Sequence, residues 1–188
     1  MFGALLHALN HALTKALMFL VFGSLQYEYQ ARCGDEVLEK EGDIQGILKA
    51  LPLSGTILAF GGLALVGSPP FSIFMSEFMI LWAAVQQAWD KPLLLSVALF
   101  FFVVTVTLIF AGLVGHLGRL LLGPAPFEPV KMNRSRLLAL LPFLVLVGMI
   151  FFFGITVPRW PVDFPQVLEN SVQVVMYGVT DQLIEAMR

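Results

Sequence analysis

The stretch LSGTILAFGGLALVGSPPFSIFMSEFMILWAAVQQAW, Leu53–Trp89, decides the fold. Its first part is an apolar helical run, SPPF interrupts it, and the apolar pattern resumes at Ser72. Pro69 and Pro70 lack backbone N–H donors and clash with the turn before them, so no helix passes through them unbent. Glu77 follows two turns later and is the only acid between Ser54 and Gln87. In lipid, freed backbone groups and a carboxyl are tolerated only against protein or water. A membrane helix broken in this way, with one acid beside the break, is the usual build of an ion or proton site. A proline kink that merely fits neighbouring helices is the competing reading.

The rest of the 188-residue chain agrees on a membrane setting. It is 58% hydrophobic and 13% charged, where soluble domains carry roughly a quarter charged residues. The expected fold is an all-α integral membrane protein with about four transmembrane helices. Spans are expected over 2–25, 53–89, 92–122 and 137–156, the second being discontinuous at Pro69-Pro70. Together they form a membrane domain over 1–160, followed by an amphipathic C-terminal helix within 161–188. Net charge is −2, with basic residues spread over inter-helix loops, which leaves nucleic-acid binding unsupported. A single cysteine, Cys33, excludes an intrachain disulfide, a thiolate-held iron–sulfur cluster and a Cys-based zinc site. Met1 leads into an apolar run with no basic region and no small-residue cleavage site, so no signal peptide is expected.

The first span carries His7, His11 and Lys15. Steps of four residues advance about 40° beyond a full turn, so the three project from one side along about 12 Å of axis. Asn10 is expected to widen that polar stripe. Charges and imidazoles on a spanning helix face a bundle interior or a water-filled cavity. Three readings compete. The histidine pair has helical metal-ligand spacing, but Lys15 one turn on repels a cation. A haem needs a second axial ligand, and His116 is the only other histidine. A proton-relay stripe fits all three residue types, because imidazole titrates near neutral pH and buried amines titrate lower than exposed ones. The relay reading is preferred, with no metal or cofactor assigned to this chain.

HALNHALTKALMFLVFGS resembles the HxxNHxxxKALLFLxxGS signature of antiporter-like membrane subunits of respiratory complex I, Mrp-type antiporters and group 4 hydrogenases. GLALVGSPPFSIFMSEFMIL is similar to the same family's GLPPFxGFxSKxxIL stretch. The acid in SEFMIL, where many members have Lys, looks most like subunits of the hydrogenase-4 and formate-hydrogenlyase type. The resemblance covers roughly Met1 to Trp89. It implies about fourteen spanning helices in two inverted repeats, of which this chain corresponds to the last four. It further implies a proton- or sodium-translocating membrane-arm subunit of an energy-converting oxidoreductase complex. His7, His11, Lys15 and Glu77 would form part of its charge relay. Nickel–iron and iron–sulfur centres would lie in partner subunits, another of which supplies the missing N-terminal helices. The implied location is a bacterial or archaeal inner membrane. A subunit of a cation/proton antiporter, or of an inorganic-carbon uptake system, is the alternative, as is a structural remnant that packs without conducting.

The remaining segments are plainer. Residues 26–51 read as the longest polar connection, with a surface helix over 36–49 turning Ile44, Ile47 and Leu48 to the bundle and its acids solvated. AWDKP is a short turn. In the third span, Thr105 and Thr107 read as packing or back-bonding hydroxyls. Gly112, Gly115 and Gly118 would allow close approach of another helix. His116, near that span's end, is a candidate for proton entry or exit. Pro142 is placed in the first turn of the fourth span. The tail alternates Leu168, Val172, Val175 and Val179 with polar residues and carries few cations, which favours docking on another subunit over bare lipid. If 53–89 crosses once, the loops at 26–50 and 119–136 share a side and hold seven Lys and Arg. The positive-inside bias then makes that side cytoplasmic.

Overall fold

The computed structural model describes residues 2–34, 44–87, 92–156, 166 and 169–173. Residues 88–91 of the AWDKP turn, residues 35–43 and nearly all of the amphipathic tail lie outside them. The described elements are helices: α1 (Phe2–Cys33), α2 (Ile47–Ala50), α3 (Pro52–Leu65), α4 (Ser72–Gln87), α5 (Pro92–Leu122) and α6 (Arg134–Ile155). Three of them, α1, α5 and α6, are long and apolar enough to cross a bilayer alone. Each of α3 and α4, at 14 and 16 residues, is too short, since a span needs about 20.

The register along α1 shows how the short pair solves this. Gly3 packs on Met79 and Ile80, His7 meets Ser76, Asn10 meets Ser72, and Leu17 and Met18 cover Gly61. As numbers rise on α1 they fall steadily through α4, the break and α3. The two short helices therefore form one discontinuous span antiparallel to α1, and the chain is a multi-pass membrane protein.

Helix α3 stops before the prolines. Gly67 adopts φ +70°, Ser68 N–H donates to the Leu63 carbonyl at 3.1 Å, and Gly67 N–H donates to the Ala64 carbonyl at 3.1 Å. This paired closure uses the left-handed conformation that glycine adopts without steric cost. Pro69 and Pro70 then prevent resumption until Ser72, with Phe71 N–H turning back to the Ser68 carbonyl at 3.1 Å.

One end of the bundle is closed by polar and aromatic contacts. Arg136 grips the Glu28 carboxylate through both oxygens at 2.7 and 2.9 Å. Tyr29 Oη donates to the Gln45 carbonyl at 2.8 Å, and its ring meets Phe127 edge-on. The Arg32 guanidinium sits over Phe127, and Val130 N–H donates to the Ala50 carbonyl. The described parts of 26–50 and 119–136 are therefore at the same end.

Four expectations need correction. First, α1 runs to Cys33 rather than residue 25. Its last turns lie beyond the hydrocarbon, where the Glu28–Arg32 pair at 3.4 Å supports them. Second, Ile44–Gly46 is not helical, and among the described residues of the expected 36–49 helix a single turn, α2, forms; Gly46 is pressed against the backbone of Pro124 and Ala125. Ile44 and Ile47 are buried as expected, while Glu28, read as solvated, is in the ion pair with Arg136. Third, α6 begins at Arg134, because Asn133 Oδ1 caps it by accepting from Arg136 N–H at 2.9 Å. Pro142 therefore lies inside the helix and removes the hydrogen bond to the Leu138 carbonyl. Fourth, Gly112, Gly115 and Gly118 face open space rather than another described helix. Thr107 does bond back, to the Val103 carbonyl at 2.8 Å.

Candidate functional site

The site lies where α1 crosses the break between α3 and α4. Asn10, fully buried, donates through Nδ2 to the Ser72 carbonyl at 2.8 Å, pinning the first turn of α4. In a low-dielectric setting an unmet amide donor is costly, so this bond holds Asn10 against the start of α4. Asn10 thus belongs to the packed face of α1, with Leu6, Thr14, Leu17 and Val21, and does not widen the outer stripe. Its spacing with those residues was the signal, since all five follow one helical line.

His7 and His11 flank this contact. Their rings stack with centroids 5.4 Å apart and planes 18° from parallel. His7 Nδ1 is 3.1 Å from Ser76 Oγ. The Ser76 hydroxyl donates to the Ile73 carbonyl at 2.8 Å, so its oxygen accepts from an Nδ1–H of His7. Ser72 and Ser76, an i, i+4 pair after the break, are site residues that the apolar context of SIFMSEF concealed. Asn10 Oδ1, His11 Nδ1 and Ser72 Oγ are buried with no hydrogen-bond partner among the described residues. Such groups are the usual ligands of internal water.

Glu77 lies on the next flank of α4 and is half-buried. Its carboxylate folds back across the break onto Gly67, where any added methyl would land on Oε2. Gly67 and Glu77, ten residues apart in sequence on either side of the prolines, therefore share one corner. Glu77 makes no ion pair or side-chain hydrogen bond among the described residues.

Lys15 and His116 sit apart from this cluster. Lys15 is exposed on the outer face of α1 and has no ion pair among the described residues. It lies between the Asn10–Ser72 and Met18–Gly61 contacts, level with the middle of the discontinuous span. An uncompensated charge there costs on the order of 3 kcal/mol. His116 lines an apolar groove between α1, α3 and α5 with Met18, Phe22 and Leu58. Pro69 and Pro70 are exposed at the outside of the break. The described residues bring together no group of three or more His, Cys, Asp or Glu side chains of the kind that holds a metal.

The profile of the NADH:quinone oxidoreductase/Mrp antiporter transmembrane family matches residues 1–107. The chain is 34% identical over 87 residues to a hydrogenase-4 component F homolog of Methylacidiphilum infernorum, covering 46% of the chain and 17% of that relative. It is 29% identical over 179 residues to NADH-quinone oxidoreductase subunit N of Desulforudis audaxviator, covering 92% and 33%. It is 31% identical over 175 residues to NADH-ubiquinone oxidoreductase chain 5 of Pongo abelii, covering 87% and 26%. The chain thus spans a third or less of each of these relatives. No solved structure matches it. The match over more than half its length places it in a family: the chain belongs to the transmembrane NADH:quinone oxidoreductase/Mrp antiporter family.

Proposed function

We propose that the chain carries half of the charge-relay path of an antiporter-like subunit that moves protons, or sodium, across a membrane. It would work within a multi-subunit complex of the hydrogenase-4 or NADH-quinone oxidoreductase kind, whose names its relatives bear. Nickel–iron and iron–sulfur centres belong to partner subunits in this reading, and the membrane is a bacterial or archaeal inner membrane. The observation that carries the proposal is the placement of the Glu77 carboxylate on Gly67 at the break. A broken span exposes backbone dipoles at mid-membrane, and a titratable carboxyl among them can hold and release a proton.

The remaining groups extend the path. Ser76 adjoins Glu77 in sequence and contacts His7, and His7 stacks on His11. Water held by the unpartnered atoms of Asn10, Ser72 and His11 bridges the step that no direct contact spans. Lys15, one turn beyond His11, passes charge to the neighbouring subunit. Groups coupled in this way titrate as a set.

Replacing Glu77 by Gln keeps size and hydrogen bonding but removes the exchangeable charge. Glu77→Gln is expected to leave the complex assembled while coupled ion flux in reconstituted vesicles falls about tenfold or more. Glu77→Asp, one methylene shorter, is expected to be intermediate. Normal flux in the assembled Gln variant would make Glu77 a packing residue.

A further inference from the structure

Where α1 meets α4, Ser76 fixes more about His7 than its position. His7 Nδ1 lies 3.1 Å from Ser76 Oγ. The Ser76 hydroxyl hydrogen is engaged by the Ile73 carbonyl at 2.8 Å, with the Ser72 carbonyl behind it at 3.4 Å. A hydroxyl has one hydrogen and two lone pairs, so Ser76 Oγ meets the ring as an acceptor. Which imidazole nitrogen carries the hydrogen is set by the bond that the other ring nitrogen makes. His7 Nε2 makes no hydrogen bond among the described residues, and it is not one of their enclosed, unpartnered atoms. We propose that Ser76 is a positioning residue that holds neutral His7 as its Nδ1–H tautomer, so that proton exchange at this ring takes place at Nε2.

Burial makes this hold effective. Ser76 is fully buried, so bulk water does not compete for its oxygen, and a hydrogen bond is stronger in such a setting than in water. The neighbouring ring supplies the contrast. His11 stacks on His7 with centroids 5.4 Å apart, yet its Nδ1 has no partner among the described residues. The hold therefore belongs to His7 and is not shared by the pair. The proton balance follows from it. A proton arriving at Nε2 gives an imidazolium whose Nδ1–H stays on Ser76 Oγ, and its departure from Nε2 restores the starting tautomer. Departure from Nδ1 would place a second hydrogen on Ser76 Oγ while the first is held by a backbone carbonyl, which passes no proton on. Ser76 stands next to Glu77 in sequence but is not a carrier. Charge moving between His7 and Glu77 goes by way of Nε2 and water. The inference rests on the relay reading above for the use made of His7, whereas the tautomer itself does not depend on transport.

The test is solid-state nitrogen NMR of the intact complex in lipid vesicles, with isotope-labelled histidine rings. The His7 signals are identified by their loss in His7→Gln, and protonated and bare ring nitrogens are well separated in such spectra. The neutral His7 ring of the parent is expected to show a protonated Nδ1 and a bare Nε2, the reverse of the form that free histidine favours. Ser76→Ala removes the acceptor and should shift the ratio of the two tautomers about tenfold toward Nε2–H. Ser76→Thr keeps the hydroxyl and should restore the parent ratio. Ion flux should fall by a similar factor in Ser76→Ala and recover in Ser76→Thr. A bare Nδ1 on the parent ring would overturn the proposal, and that spectrum needs no Ser76 variant to fold. So would a tautomer ratio in Ser76→Ala equal to the parent's, or normal flux in Ser76→Ala where His7→Gln abolishes it. If His7→Gln itself pumps normally, the relay reading fails, and the spectra still decide the tautomer.

Discussion

Glu77 and Gly67 occupy the same corner of the break, and each limits what the other position tolerates. Gly67 has φ +70°, and a methyl there would land on the Glu77 carboxylate. Gly67→Ala therefore combines a left-handed alanine with a displaced acid, a cost of about 1–3 kcal/mol. The expected outcome is a lower thermal midpoint for the extracted complex, together with reduced ion flux because the carboxyl is pushed from the break. Gly148→Ala, which meets open space on α6, should change neither. Equal behaviour of the two variants would show that the Gly67–Glu77 contact is unimportant. At this scale the sequence was informative about which residues matter and poor on how they meet. His7 and His11 announced themselves as polar groups in an apolar run, and they do come together. The contact of Glu77 with Gly67 depends on how far the chain folds back at the break, which no local pattern encodes.

At the level of elements, the break is held from two sides. Asn10 of α1 fixes Ser72, and α6 presses Gly154 against the Pro70 carbonyl and the Phe71 backbone. The Phe71 ring also meets Phe151 edge-on at 6.2 Å. In lipid, where apolar burial gives little drive between helices, such close backbone approach supplies the packing energy. Gly154→Ala is expected to separate α6 from the break and lower the thermal midpoint of the complex by several degrees, more than Gly148→Ala does. A midpoint equal to the parent would mean α6 is not a brace. The apolar spans and the broken helix were legible because hydropathy and a proline pair are local signals. The ends were not. Helix α1 outlasts the hydrocarbon by about two turns, since Gln26–Arg32 is a good helical sequence in water as well. Helix α6 starts early because Asn133 caps it. The burial of Asn10 turns on the rotation of α1 against α4, which only the tertiary packing sets.

For the whole molecule, the Glu28–Arg136 pair and the Val130–Ala50 hydrogen bond join the two long connections at one end. With Cys33 replaced, Lys49→Cys and Lys131→Cys should be labelled only from the cytoplasmic side, as the positive-inside bias requires. Gln86→Cys, on the exposed far end of α4, should be labelled only from the opposite side. Labelling of Gln86→Cys from the cytoplasm would turn the α3–α4 pair into a re-entrant hairpin and remove the mid-membrane break from the mechanism. The central claim is that the Glu77 carboxyl gains and loses a proton as the complex turns over. Infrared difference spectroscopy of the assembled complex, between resting and turning-over states, reads this directly. The account predicts a protonated-carboxyl stretch that changes during turnover and is missing from Glu77→Gln. A carboxyl signal identical in the parent and in Glu77→Gln would contradict it.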